Sequence, residues 1–197
     1  MGRTDVAVHL HPAEARASLE RDTRAGLTAA AKWLPPVWFY DERGSRLFDE
    51  ITRLPEYYPT RTERSILAAH ADDIAASLPF EALVELGSGT SEKTRLLLDA
   101  LLAAGRLSTF VPFDVSEEVL REAADAIDRE YPSLEVRAVV GDFRHHLDRL
   151  PRPGPRLLAF LGGTIGNFAP DQRAKFLFDV DANLDQGEAF LLGTDLV

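Results

Sequence analysis

From residue 82 onward the chain repeats one rhythm, a short apolar run followed by a stretch of helical periodicity. Runs of that length joined by crossover helices build a parallel sheet covered on both faces, which restricts this part of the chain to the α/β class. Five strands are predicted: ALVEL at 82–86, STFVPFD at 108–114, LEVRAVV at 134–140, RLLAFLG at 156–162 and EAFLLG at 188–193. Arg137 inside the third predicts less complete burial there than in the first. Leu96, Leu97, Ala100 and Leu101 mark the helix after the first strand. Ser116 is placed to cap the next, with Glu117 and Glu118 in its first turn, and that helix runs to about Arg129 before Pro132. A third starts near Pro170, carries Leu177, Val180 and Leu184 as its seam and ends at Gly187. The sequence stops within a few residues of the fifth strand, whose open edge needs a cover, so a further C-terminal portion is expected.

Residues 1–80 differ in texture and are expected to form a helical and aromatic arm, with the sheet domain at 81–197. A helix is predicted near 13–31, stopped by Pro35 and Pro36. The stretch that follows, WFYDERGSRLFDEITRLPEYYPT, is too rich in aromatics for a simple linker. Thr60 and Glu63 have capping-box spacing before a helix whose face carries Leu67, Ala71, Ile74 and Leu78, closed by Pro79. His70, beside that stripe, reads as a partly buried packing or hydrogen-bonding residue rather than a catalyst.

Charge and composition narrow the function. A formal net charge of −10 argues against broad affinity for nucleic acid or an anionic membrane surface. Without cysteine, the sequence has no thiolate nucleophile, disulfide or cysteine-ligated metal. No run approaches the roughly 20 apolar residues of a membrane span, and the start Met-Gly-Arg-Thr-Asp lacks the pattern of a secretory signal, so a cytoplasmic setting is expected. The adjacent pair His145 and His146 belongs to no recognised metal-ligand spacing, and no metal is expected.

The chemistry concentrates at predicted strand ends. In VELGSGTSEKT, residues 84–94, a strand runs into Gly87 and Gly89 and then a helix, a turn through which backbone can approach a ligand. The second strand ends at Asp114, a possible acceptor for two ribose hydroxyls or alternatively a turn acid. The third is followed by Gly141-Asp142-Phe143, where Asp142 suits an adenine amino group or an N-cap, and Phe143 offers its ring or its N–H. Three successive strand ends around one crevice point to an adenosine-containing cofactor. Glu92 stands where a dinucleotide fingerprint needs its third glycine, and the phosphate-loop spacing also fails, which favours S-adenosylmethionine with Lys93 near its carboxylate. The fourth strand leads into LGGTIGNF, where Asn167 suits either a zwitterionic substrate or the cap of the following helix.

The combination of WFYDERGSRLFDEITRLPEYYPTRTE, VELGSGTSEKT, PFDVS, GDF and FLGGTIGNF resembles the L-histidine Nα-methyltransferase family of ergothioneine biosynthesis, from about residue 8 to the end. It is also similar to related S-adenosylmethionine-dependent methyltransferases. The resemblance implies a Rossmann-like class I fold and places Gly87, Lys93, Asp114, Asp142 and Phe143 at cofactor-binding positions. It places Tyr57 and Asn167 at histidine-binding positions that orient the substrate, with Tyr40 a further candidate. It implies three methyl transfers to the α-amino nitrogen, giving hercynine and S-adenosylhomocysteine, by a monomer without metal. Complete members continue past residue 197 with the end of the sheet and a second substrate-recognition region. Two alternatives stay open: another small-molecule or protein methyltransferase of the same fold, and a cofactor-binding fragment without turnover.

Overall fold

The computed structural model describes residues 4–195. In chain order the first part contains β1 (Thr4–Val8), α1 (Pro12–Thr28), a 3-10 turn at Pro36–Phe39, α2 (Glu42–Thr52) and α3 (Pro59–Ser77). The remainder alternates β2 (Ala82–Leu86), α4 (Thr94–Ala103), β3 (Thr109–Asp114), α5 (Glu117–Glu130), β4 (Glu135–Val140), β5 (Arg156–Phe160), α6 (Pro170–Asn183) and β6 (Ala189–Leu192). The six strands form one parallel sheet in the order β1-β4-β3-β2-β5-β6. The chain starts its central strands at β2, winds outward to β4, then returns to the other side of β2. That reversal opens a crevice at the carboxyl ends of β2, β3 and β5.

Both faces are packed. Leu83, Phe110 and Val136 face Leu67 of α3, Leu97 of α4 and Leu120 of α5, while Val84, Val111, Phe113 and Phe160 face Phe176 and Val180 of α6. Each such fully buried side chain stabilises the fold by roughly 1.5–3 kcal/mol relative to an exposed one. Arg156 at the start of β5 is fully buried, yet its Nε and Nη2 meet the Glu188 carboxylate at 2.5 and 2.7 Å, which fastens the approach to edge strand β6.

All five strands expected from the sequence are present, and β1 is an addition. It pairs with β4 from Thr4↔Val136 to Val8↔Val140, so the segment read as an arm also supplies one sheet edge. Five residues with Asp5 among them, half-buried at an edge, carry too little apolar pattern to announce a strand.

Several local expectations are corrected. The first helix ends at Thr28, ahead of the prolines, because the chain turns back and the Trp33 N–H donates to the Gly26 carbonyl at 3.4 Å. The capping box at Thr60 and Glu63 does not form. Tyr58 is the N-cap of α3, Pro59 opens the helix, and the Glu63 carboxylate reaches Lys93 and the Gly162 N–H instead. His70 is exposed rather than partly buried, 3.6 Å from Asp73. Ser116 holds the N-cap position of α5 without a side-chain cap bond. The buried seam of α6 is Phe176 and Val180, with Leu184 packed against it, and Leu177 faces solvent. That helix ends at Asn183, and Gly187, at φ 89°, serves the turn into β6.

Candidate active site

The glycine loop after β2 is held by its neighbour strand. The Gly87 and Ser88 N–H groups donate to the Phe113 carbonyl at 2.8 and 3.1 Å. Gly87 and Gly89 sit at φ 71° and 49°, backbone that a side chain would strain, and a Cβ at Gly87 would point toward the Phe143 ring. The Asp114 carboxylate closes the loop from below, accepting the Gly89 N–H at 2.9 Å and the Ser116 N–H at 3.0 Å. Burial pushes its carboxyl upward while these N–H groups pull it back. Two oxygens with four lone-pair directions leave acceptor capacity free.

Behind the loop, Glu85 is almost fully buried and accepts the Ser91 hydroxyl at 3.2 Å. Burial pushes it up to about 7, against the opposing pull of the Lys93 ammonium and of nearby hydroxyls. The Ser88 hydroxyl is buried without a protein partner.

These groups line a cavity of about 930 Å³, within the roughly 300–1,000 Å³ of small-molecule sites. Gly87, Lys93, Asp114, Phe143, Tyr40, Tyr57 and Asn167 all lie on its wall. Asp142 does not. It lines an adjoining cavity of about 540 Å³ with His145 and His146, separated by Tyr40 and Val115, which face both spaces. Its carboxylate is taken by Arg144, whose Nε lies 3.0 Å from each oxygen and whose Nη2 lies 2.6 Å from Oδ2. It also accepts the Arg144 N–H at 2.9 Å, a cap-like contact within the turn, although the N-cap of the 3-10 helix that follows, Leu147–Arg149, is His146 and not Asp142. Arg144 itself reaches the larger cavity.

The arm supplies the opposite wall. Phe48 of α2 lies edge-on to Tyr40 and Tyr57, with ring centroids 5.8 and 6.0 Å apart, so the two tyrosines are spaced by one aromatic ring. Burial raises both hydroxyls above their ordinary value, Tyr40 further through Tyr57 and the Asp114 charge and Tyr57 further through the Glu63 charge. Asn167 ends the 3-10 turn Thr164–Asn167. The N-cap of α6 is Ala169, whose N–H is taken by the Gln172 side chain at 3.1 Å, so the capping alternative for Asn167 falls. Phe143 packs its ring against Phe160, Phe168 and Phe176, with centroids 5.2–5.8 Å away.

Phe48, Asp49 and Arg144 also line the cavity without having been expected there, and Glu63, expected only as a capping-box residue, contacts Lys93 on its wall. Phe48 belongs to a dense aromatic run that signals a packed wall, but Glu63 and Arg144 gain their place through contacts no local pattern announces. His145 and His146 lie in a turn, with His146 stacked on His9 at 6.3 Å. Among the described residues no group of three or more His, Asp or Glu is arranged to hold a metal ion, and no helix is long and apolar enough to cross a membrane.

A parallel sheet with its crevice at β2, a glycine loop and an acid ending the adjacent strand define a Rossmann-like methyltransferase fold. The crystal structure of a protein assigned as a methyltransferase from Thermobifida fusca shares it, with a TM-score of 0.51 and 17% identity over 85% of this chain and 62% of that one. The chain belongs to the histidine-specific, S-adenosylmethionine-dependent methyltransferase family, whose model matches residues 19–197. Histidine N-alpha-methyltransferase from Mycolicibacterium smegmatis is 57% identical over 192 residues, 98% of this chain and 60% of that protein. Ergothioneine biosynthesis protein 1 from Neurospora crassa is 35% identical over 82% of this chain and 19% of its own length. The chain thus spans about 60% of the length of its bacterial relative.

Proposed function

We propose that the protein trimethylates the α-amino group of L-histidine to hercynine in ergothioneine biosynthesis, acting in the cytoplasm as a monomer. The observation that supports this best is the single cavity shared by the glycine loop with Asp114 on one wall and Tyr57 with Asn167 on the other. The free acceptor capacity of Asp114, the Lys93 cation, the open backbone at Gly87 and the orphaned Ser88 hydroxyl fit a ligand with ribose hydroxyls and an amino-acid tail. We also assign residues 1–80 to substrate contact and 81–197 to cofactor binding, with β1 crossing that division.

In this reading Asp114 accepts the ribose hydroxyls, Lys93 faces the methionine carboxylate, and Gly87 lets backbone approach. Phe143 closes the adenine end. Asp142 is assigned to the adenine amino group, sharing its carboxylate with Arg144. The bound cofactor supplies an electrophilic methyl group on a sulfonium.

The chain's own residues supply alignment rather than acid–base power. Tyr57 and Asn167 orient the amino acid so that its nitrogen meets the methyl carbon in line with the departing sulfur, while Tyr40, Phe48 and Phe143 exclude water. The tyrosines act as donors, since a phenol keeps its proton at neutral pH. The attacking nitrogen has to be neutral, so the substrate ammonium, and the ammonium left by each of the first two transfers, gives its proton to solvent before the next attack. Positioning that favours the neutral form therefore suffices.

The test is a substrate panel with the full-length protein and S-adenosylmethionine. Consumption of L-histidine with three equivalents of S-adenosylhomocysteine formed per trimethylated product supports the reading. Preferential methylation of another amine, or of a protein, replaces it.

A further inference from the structure

Glu63 lies on α3, far in sequence from every element of the cofactor wall, yet its carboxylate sits among three of them. Its Oε2 accepts from the Lys93 ammonium in the loop after β2. Its Oε1 accepts the Gly162 N–H, just beyond β5, at 2.7 Å. The same oxygen fills the space that a Cβ at Gly193, just beyond β6, would need. The pair is largely shielded, with side-chain exposures of 16% for Glu63 and 20% for Lys93. Glu63 also stands six residues after Tyr57, and its charge is felt at the Tyr57 hydroxyl.

We infer that Glu63 is a positioning residue that holds the Lys93 ammonium on the cavity wall and thereby sets the site's affinity for the amino-acid tail of the cofactor. This rests on the reading of Lys93 as the cation facing that tail. A lysine stem is flexible, and an ammonium in a shielded wall turns to solvent unless a counter-charge fixes it. Glu63 takes one of the three ammonium donors and leaves two for a ligand carboxylate. Because the same carboxylate ties α3 to the backbone just beyond β5, it also keeps Tyr57, just before α3, in register with the cofactor wall.

Glu63→Gln isolates this role. An amide of the same shape has one acceptor oxygen and one donor nitrogen, so it can satisfy the Gly162 N–H or the Lys93 ammonium but sets a donor against the other. The experiment is calorimetric titration of the full-length protein and the variant with S-adenosylhomocysteine and with 5′-methylthioadenosine, which keeps the adenosine and thioether and lacks the tail. The expected result is an S-adenosylhomocysteine Kd raised on the order of tenfold in the variant, with 5′-methylthioadenosine affinity unchanged. The unchanged adenosine affinity also certifies the fold. In addition, Glu63→Gln combined with Lys93→Met is expected to cost no more than Lys93→Met alone, since one residue acts through the other.

Unchanged or tighter S-adenosylhomocysteine binding by Glu63→Gln overturns the inference, because Glu63 would then compete with the ligand for Lys93. An equal loss for both ligands overturns it as well, reducing Glu63 to a general structural role. Failure of the unsubstituted protein to bind S-adenosylhomocysteine removes the cofactor reading itself, a result distinct from either.

Discussion

Glu85 ties the fold to the pH of the solution. It is the fourth residue of the fully buried strand β2, and burial raises its carboxyl from an ordinary value of 4.5 to about 7. The folded protein therefore holds a proton that the unfolded chain has released across this interval, so stability is lost as pH rises from 4.5 to 7. At about 1.4 kcal/mol per pH unit the full loss is about 3 kcal/mol. Glu85→Gln keeps the shape and removes the titration. Urea denaturation at intervals between pH 4 and 8 is the assay, read as the difference between protein and variant. The protein should lose about 3 kcal/mol relative to the variant between pH 4.5 and 7, with the two running parallel outside that window. The Asp114 carboxyl, which burial also raises, is present in both proteins, and its charge is itself one of the smaller causes of the Glu85 shift. Curves that stay parallel through the window would refute the reasoning, since Glu85 would then be solvated or paired well enough to ionise normally.

Asp114→Asn should weaken S-adenosylhomocysteine binding by roughly 2–3 kcal/mol, because a charged acceptor is lost while the amide must also serve Gly89 and Ser116; calorimetry showing equal affinity would remove Asp114 from the ribose site. Glu188→Gln strands the fully buried Arg156 guanidinium and should destabilise the fold by roughly 3–5 kcal/mol in urea titration. A loss below about 1 kcal/mol would mean that water already reaches the pair. Tyr57→Phe deletes one donor from the arm wall, so the full-length variant should bind S-adenosylhomocysteine normally and show a raised KM for histidine, whereas the opposite pattern would move Tyr57 to the cofactor side. Gly26→Ala pushes a methyl into the Trp33 carbonyl oxygen and should lower the melting temperature through a cost of roughly 1–3 kcal/mol, and an unchanged melt would mean the turn after α1 is free to shift.

What the sequence disclosed was whatever local periodicity and turn chemistry encode. ALVEL appears as β2 residue for residue, and the Gly87–Gly89 turn stands where the glycines require it. A proline inside β3 did not hide that strand either, because Pro112 lacks only the N–H and the apolar run around it stays buried. Illegible were the features fixed by partners distant in sequence. β1 becomes a strand through β4, more than 120 residues onward, and nothing within five residues supplies that partner. Glu63 has capping-box spacing, but a lysine 30 residues away and a free N–H 99 residues away compete for its carboxylate and win. Leu177 and Phe176 are both apolar neighbours on one helix, and only the position of the sheet decides that Phe176 turns inward.

The same geometry explains why the structural and the chemical readings of the strand-end acids are not rivals. A carboxylate that must meet a ligand in a fixed direction has to be held, and the available holders are the N–H groups of the turns it ends. Asp114 is oriented by Gly89 on one side and Ser116 on the other, so the bonds that make it a turn acid also aim its free lone pairs into the cavity. Ordering of this kind before ligand arrival lowers the entropic cost of binding. Asp142 is the contrasting case, because Arg144 contacts both of its oxygens and the residue faces a different space. An acid held by neutral N–H groups keeps its charge for a ligand, whereas one held by a guanidinium has largely spent it. On that ground Asp114, rather than Asp142, carries the greater share of cofactor affinity, and Asp114→Asn should cost more than Asp142→Asn when both are titrated with S-adenosylhomocysteine.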